Sequence, residues 1–137
     1  MAIMQDHILV VEDDAKITQV LRQALEAHGH AVRTVSSGAL ALRDLARERP
    51  DLVILDLKLP DINGYQVCHL LRKLYHPSAV PVLMLTGMDQ PIDQLRGFAH
   101  GADAYMTKPF LLAELLETVS TLLGKVEEPG SSFPASS

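Results

Sequence analysis

Five short apolar runs alternate with stretches of helical period along almost the whole chain, and this alternation restricts the fold more than any other feature. The runs are HILVV (7–11), AVRTV (31–35), LVILD (52–56), PVLML (81–85) and AYMT (104–107). Those around Val10, Ile54 and Leu83 are apolar on both faces, the pattern of a central parallel strand covered by helices on each side. Between the first two runs, Ile17, Val20, Leu21, Ala24 and Leu25 recur at i, i+3, i+4, i+7 and i+8, with Asp14 placed to cap the helix and Gly29 just past its end. Ser36 or Ser37 is placed to cap a second helix built on Ala39, Leu42, Leu45 and Ala46, and Asn63 a third on Val67, Leu70, Leu71 and Leu74. Pro91 suits the first turn of a fourth, carrying Ile92, Leu95 and Ala99 with Gly101 as its stop. A last stripe runs through Leu112, Leu115, Leu116, Val119, Leu122 and Leu123. Right-handed crossovers permit little else at these loop lengths than an α/β fold, an open five-stranded parallel sheet doubly wound by helices.

The length of 137 residues suits one such domain, which buries roughly two thirds of its unfolded surface. Residues 1–124 are expected to form it, and 125–137, where Pro, Gly and Ser dominate without periodicity, to be a flexible tail or the start of a linker. Nucleic acid is not expected as a direct ligand, because the net charge is −5 and the 12 basic residues are scattered rather than clustered. A lone cysteine, Cys68, rules out an internal disulfide and reads as a packing residue on the third helix. The start MAIMQDH lacks the apolar core of a signal peptide, and no apolar run approaches the roughly 18 residues of a membrane span. A cytoplasmic protein with no membrane partner is the expectation.

In sheets of this kind ligands collect beyond the carboxyl ends of the strands. The first strand ends in Glu12 and Asp13, the third in Asp56, the fourth in Thr86 and the fifth in Lys108 followed by Pro109. Carboxylates brought together there repel by about 4 kcal/mol per pair at ~4 Å and an effective dielectric near 20, so a cation must offset them. Hard oxygen ligands without His or Cys favour magnesium, which takes one or two carboxylates plus phosphate oxygens. Carboxylate-held metal, an ammonium and a hydroxyl together describe a phosphoryl site, and Asp56 at the end of a buried strand is the candidate nucleophile.

The segments LVVEDD, LVILDLKLPDINGYQV, PVLMLTG and GADAYMTKPF resemble the receiver domains of two-component response regulators, chemotaxis receivers included, from residue 7 to about 124. The resemblance implies a flavodoxin-like (βα)5 sheet of order 2-1-3-4-5. It implies Asp56 as phosphoacceptor, Asp13 as a direct ligand of magnesium or manganese, Glu12 acting through metal-bound water, and the Lys58 backbone carbonyl completing the protein ligands. It makes Thr86 the switch hydroxyl, Lys108 the partner of a phosphoryl oxygen, Tyr105 the aromatic that moves with Thr86, and Lys108–Pro109 a cis peptide. The side chains of Lys58 and Met88 flank the approach of hydrolytic water. Partners implied are a sensor histidine kinase or histidine phosphotransfer protein, docked by helices 1 and 5, and an effector domain or downstream protein governed by the face of helix 4, strand 5 and helix 5. Ala104 and Thr118 stand where many transcription-factor receivers place an acid and an Arg, which removes that salt bridge and leaves open another phosphorylation-dependent homodimer or a monomer.

Each residue alone has a plainer reading. An acid run after a strand is commonly a cap and a solvated loop, as Asp14 is here; Tyr105 alone reads as a half-buried strand aromatic; and the His28–His30 pair sits at a helix exit where a cation suits the dipole. Joint occurrence at the strand ends favours the switch. Against a haloacid-dehalogenase-type phosphatase, Lys58 occupies the position of that family's second acid, so the chain is not expected to be an enzyme beyond its own phosphorylation and dephosphorylation. Against a flavin or nucleotide module, EDDAKI replaces the phosphate loop. A degenerate receiver, working as an interaction module without phosphorylation, is the remaining alternative.

Overall fold

Alternate side chains of a strand point to opposite faces, and the buried central strands supply two cores that way. The structure, a computed structural model, describes residues 5–76 and 79–124; the expected tail, 125–137, lies outside them. The chain runs β1 (His7–Val11), α1 (Ala15–Ala27), β2 (Ala31–Val35), α2 (Gly38–Arg47), β3 (Leu52–Leu55), α3 (Gly64–Leu74), β4 (Val82–Thr86), α4 (Pro91–Ala99), β5 (Ala104–Thr107) and α5 (Leu112–Leu122). The strands lie in the order β2-β1-β3-β4-β5, every neighbouring pair parallel.

On one face Ile8, Val10, Leu52, Ile54, Leu83 and Leu85 pack with Leu21 and Leu25 of α1 and Leu115 and Val119 of α5. On the other, Leu9, Val11, Val53, Leu55, Val82 and Met84 pack with Ala41 and Leu45 of α2 and Val67, Cys68 and Leu71 of α3. Full burial of such a side chain is worth roughly 1.5–3 kcal/mol, so these two layers carry the fold.

Local chemistry sets the helix ends. The Asp14 carboxylate accepts from the Lys16 and Ile17 N–H groups, and Ser37, rather than Ser36, caps α2 through Leu40 N–H. Asn63 and Gln66 form a reciprocal capping box at α3, and Pro91 occupies the first turn of α4. Gly29 and Gly101 follow their helices with φ of +89° and +107°, a region that favours glycine. His28, at the C-cap of α1, sets its Nδ1 3.0 Å from the Ala24 carbonyl.

All five helix faces depart from the stripes expected; in α1 Val20 is exposed, and in α5 Leu112. In α2 the buried positions are Gly38, Ala41 and Leu45, while Ala39 and Ala46 face solvent. In α3 Cys68 takes a buried place, and Leu70 and Leu74 are exposed. In α4 Ile92 and Leu95 are 51% and 65% exposed, and the buried pair is Asp93 and Gly97. The reason is space: a Cβ on Gly97 would lie 2.7 and 2.8 Å from the Tyr105 ring carbons Cδ2 and Cε2 and 3.1 Å from Met84 Sδ. Only a glycine lets α4 approach the sheet there, so Gly97 rather than Leu95 faces inward.

At the edge where β4 and β5 begin, Arg72 of α3 reaches across three segments. Its guanidinium donates to the carbonyls of Val80 and Gly101 and to the Asp103 carboxylate at 2.9 Å, and the same Asp103 oxygen accepts from Val82 N–H at 2.8 Å. Cys68 Sγ lies 3.1 Å from the His100 carbonyl, and burial pushes its thiol pKa up. No described helix is long and apolar enough to cross a membrane.

Candidate functional site

The backbone ladders extend past the strand ends and hold the polar residues there. Glu12 N–H donates to Val35 O at 3.0 Å, Asp56 N–H to Val11 O at 3.0 Å, and Lys108 N–H to Thr86 O at 2.8 Å. Side chains that are distant in sequence thereby converge on one rim. Glu12 and Asp56 are buried, at 3% and 5% exposure, whereas Asp13 is open to solvent. One carboxylate oxygen from each of the three falls within 4.8 Å of the others.

A positive group does sit among the acids. Lys108 Nζ lies 2.7 Å from Glu12 Oε1 and 2.9 Å from Asp56 Oδ2. The other Asp56 oxygen, Oδ1, accepts from Lys58 N–H at 3.2 Å, and Glu12 Oε2 accepts from Asp14 N–H at 3.1 Å. Burial raises the Glu12 carboxyl above its ordinary value, and the neighbouring Asp56 charge adds to this, against the lowering hydrogen bonds from Lys108 and Asp14. For Lys108, burial works against the charge, but the hydrogen bonds to Glu12 and Asp56 outweigh it and hold the ammonium above 10.5.

Three carboxylates against one ammonium leave the cluster net negative. Its donors are all hard oxygens, two anchored and one reachable from solvent, a set that suits a small divalent cation and offers nothing to a soft one. The cluster fits magnesium.

Thr86 is fully buried at the end of β4, and its Oγ1 accepts from Met88 N–H at 3.4 Å. The Tyr105 hydroxyl donates to Met88 O at 2.7 Å. Main-chain atoms of one loop residue thus connect the hydroxyl of β4 with the aromatic of β5. The Tyr105 ring packs over Gly97 and 6.4 Å from the Phe98 ring, and its phenol is pushed up to about 12, first by burial and then by Tyr65, Asp93, Asp89 and Asp56. The Lys108–Pro109 peptide is cis. Lys58 is exposed and its backbone bridges to Asn63, while Met88 is partly buried. Ala104 is half-buried in β5, and Thr118 Oγ1 donates to the Glu114 carbonyl of its own helix at 2.9 Å.

Sequence reasoning placed the acids, Thr86 and Lys108 at the rim but missed three connections. The Lys108–Glu12 contact and the Met88 main-chain link depend on how separate strands meet, and no local signal marks them. Asp93, 8% exposed, accepts from Gln90 N–H at 3.0 Å; here the interval of three residues across a helix start was a usable sign.

The family model described as the response regulator receiver domain matches residues 8–120. Among curated relatives, the alkaline phosphatase synthesis transcriptional regulatory protein PhoP of Bacillus subtilis is 41% identical over 90% of this chain and 51% of its own length. The DNA-binding dual master transcriptional regulator RpaA of Synechocystis sp. is 38% identical over 88% of this chain and 50% of its own. The chain spans about half the length of these relatives. Among solved structures, a response regulator receiver domain protein (CheY-like) from Methanospirillum hungatei superposes with a TM-score of 0.82 at 30% identity, covering 89% of this chain and 96% of that one.

Proposed function

The chain belongs to the response regulator receiver domain family, and from that premise we propose that Asp56 accepts a phosphoryl group from a phosphohistidine of a sensor kinase or phosphotransfer protein. In the transfer an Asp56 oxygen forms a bond to phosphorus as the phosphorus–nitrogen bond breaks, and the imidazole leaves with the electron pair and takes up a proton. Magnesium, when bound, neutralises phosphoryl oxygens on which charge accumulates. Asp13 would hold it directly and Glu12 through water, with Asp56 and the Lys58 carbonyl completing the protein ligands. Lys108 pairs with another phosphoryl oxygen. Nothing in this set turns over an outside substrate, so the protein assists its own phosphorylation and dephosphorylation rather than serving as an enzyme.

Thr86 and Tyr105 carry the response. Once Asp56 is modified the Thr86 hydroxyl turns to the phosphoryl group, Tyr105 moves with it, and the α4–β5–α5 face shifts its preference among partners. The receiver occupies residues 1–124, and residues 125–137 serve as a tail or as the start of a linker to an effector domain. The phosphorylated form acts on that effector, on a separate protein or as a homodimer. Lys58 and Met88 tune how long the phosphoryl group survives.

The observation that carries this reading is the Lys108 ammonium seated between Glu12 and Asp56, in a cluster that Asp13 leaves net negative. Incubation with magnesium and acetyl phosphate, followed by intact mass measurement, is expected to show one phosphoryl group on the wild-type chain and none on Asp56→Asn. An unmodified wild-type chain would instead favour a module that binds partners without phosphorylation.

A further inference from the structure

Asp61 is exposed, yet it is tied down as firmly as a buried group. Its Oδ1 accepts from Gly38 N–H at 2.8 Å and from its neighbour Ile62 N–H at 2.9 Å, and its Oδ2 accepts from Ala39 N–H at 2.8 Å. Gly38 and Ala39 open α2, so the carboxylate also lies at the positive end of that helix. Beside it, Ile62 fills the room a side chain on Gly38 would need: its Cγ1 and Cδ1 lie 2.2 and 2.6 Å from where a Cβ would stand. These contacts join the tip of the 57–63 loop to the start of α2.

The base of the same loop is fixed separately. Gly64 N–H donates to Leu57 O at 2.8 Å, Lys58 bridges to Asn63, and Lys58 N–H donates to Asp56 Oδ1 at 3.2 Å. A Cβ on Gly64 would meet Asp56 O at 2.5 Å, so the loop closes directly against the phosphoacceptor's backbone. A backbone carbonyl cannot be aimed by a rotamer. Its direction is set by the planar peptide on either side, and it becomes a useful ligand only where the loop is held from both ends.

We infer that Asp61 is a positioning residue for the magnesium site, clamping the 57–63 loop to the start of α2 so that the Lys58 carbonyl is presented to the ion. The inference rests on the reading of that carbonyl as a ligand. It adds a residue that touches neither metal nor phosphate and acts through another.

Calorimetric titration of the full chain with magnesium chloride tests it, on wild type, Asp61→Ala, Asp61→Asn and Asp13→Asn, with urea unfolding of each measured in parallel. Loss of a supporting partner typically weakens metal binding about 10-fold or more, and Asp61→Ala is expected to show a rise in Kd of about that size. Asn keeps an acceptor for Gly38 but sets an NH2 group against Ala39 N–H, so Asp61→Asn should fall between wild type and Asp61→Ala. Phosphorylation by acetyl phosphate gives a second readout: the half-saturating magnesium concentration should rise, while the rate at saturating magnesium stays at the wild-type value. A lowered urea midpoint with magnesium Kd within about twofold of wild type would show a merely structural role and overturn the inference. If Asp61→Ala does not fold, Asp61→Asn decides by the same criterion. Asp13→Asn separates the layers. Wild type titrating like Asp13→Asn removes the metal site and the clamp together, whereas binding lost in Asp13→Asn and intact in both Asp61 variants removes the clamp alone.

Discussion

Tyr105 shows how a single side chain reports on its surroundings. Its hydroxyl reaches Met88 O, its ring lies on Gly97, and burial followed by nearby negative charge pushes the phenol from 10 up to about 12. The consequence for stability has a definite sign. Above pH 10 the unfolded chain loses this proton while the folded chain keeps it, so the stability present below pH 10 is drawn down as pH rises towards about 12. Urea midpoints of wild type should therefore fall more steeply over that interval than those of Tyr105→Phe, and equal slopes would contradict the environment described. The residue's place on β5 was legible in the sequence, because AYMT is a short apolar run that ends ahead of Lys108–Pro109. Its link through Met88 to Thr86 was not, since main-chain atoms of a loop carry no sequence mark.

At the scale of elements, caps were read correctly and faces less so. Asp14, Asn63 and Pro91 act within a turn of their own position, where short-range chemistry decides. The buried face of α4 is instead chosen by what lies beneath it. Leucine and isoleucine spacing suggested Ile92, Leu95 and Ala99, but Tyr105 and Met84 leave room only for Gly97. Gly97→Ala sets a helix-propensity gain of roughly 1 kcal/mol against an overpacking cost of roughly 1–3 kcal/mol. The expected result is a chain no more stable than wild type, with α4 or the Tyr105 ring displaced and the phenol titrating nearer 10, read by ultraviolet absorbance. An increase in stability with an unchanged titration would mean that the contact at Gly97 is loose.

Over the whole molecule, the alternation of strands and helices was enough to specify the layered sheet, since burial on both faces is a property of each strand's own residues. Charge convergence was legible too, because parallel strands bring all their carboxyl ends to one side. What depended on the closed structure was which group meets which: Lys108 pairs with Glu12 as well as Asp56, and the Asp61 carboxylate accepts from the first N–H groups of α2. The outward apolar residues of α4 belong to this scale. Leu95 is 65% exposed, so Leu95→Ser should leave the unfolding free energy from urea titration within about 0.5 kcal/mol of wild type. Phosphorylation of Asp56 by acetyl phosphate should also proceed at the wild-type rate, and a loss of stability beyond that margin would place Leu95 in the core.

Arg72 gives the molecule two unlike ends. At the edge remote from the acids, one guanidinium ties α3 to the carbonyls of Val80 and Gly101 and to Asp103, and so holds the turn that follows α4. At the opposite rim the Tyr105–Met88–Thr86 thread links β5 to β4 through the loop that leads into α4. The chain is thus held on either side of α4 by unlike means, a charged guanidinium at its exit and a phenol with a hydroxyl at its entry.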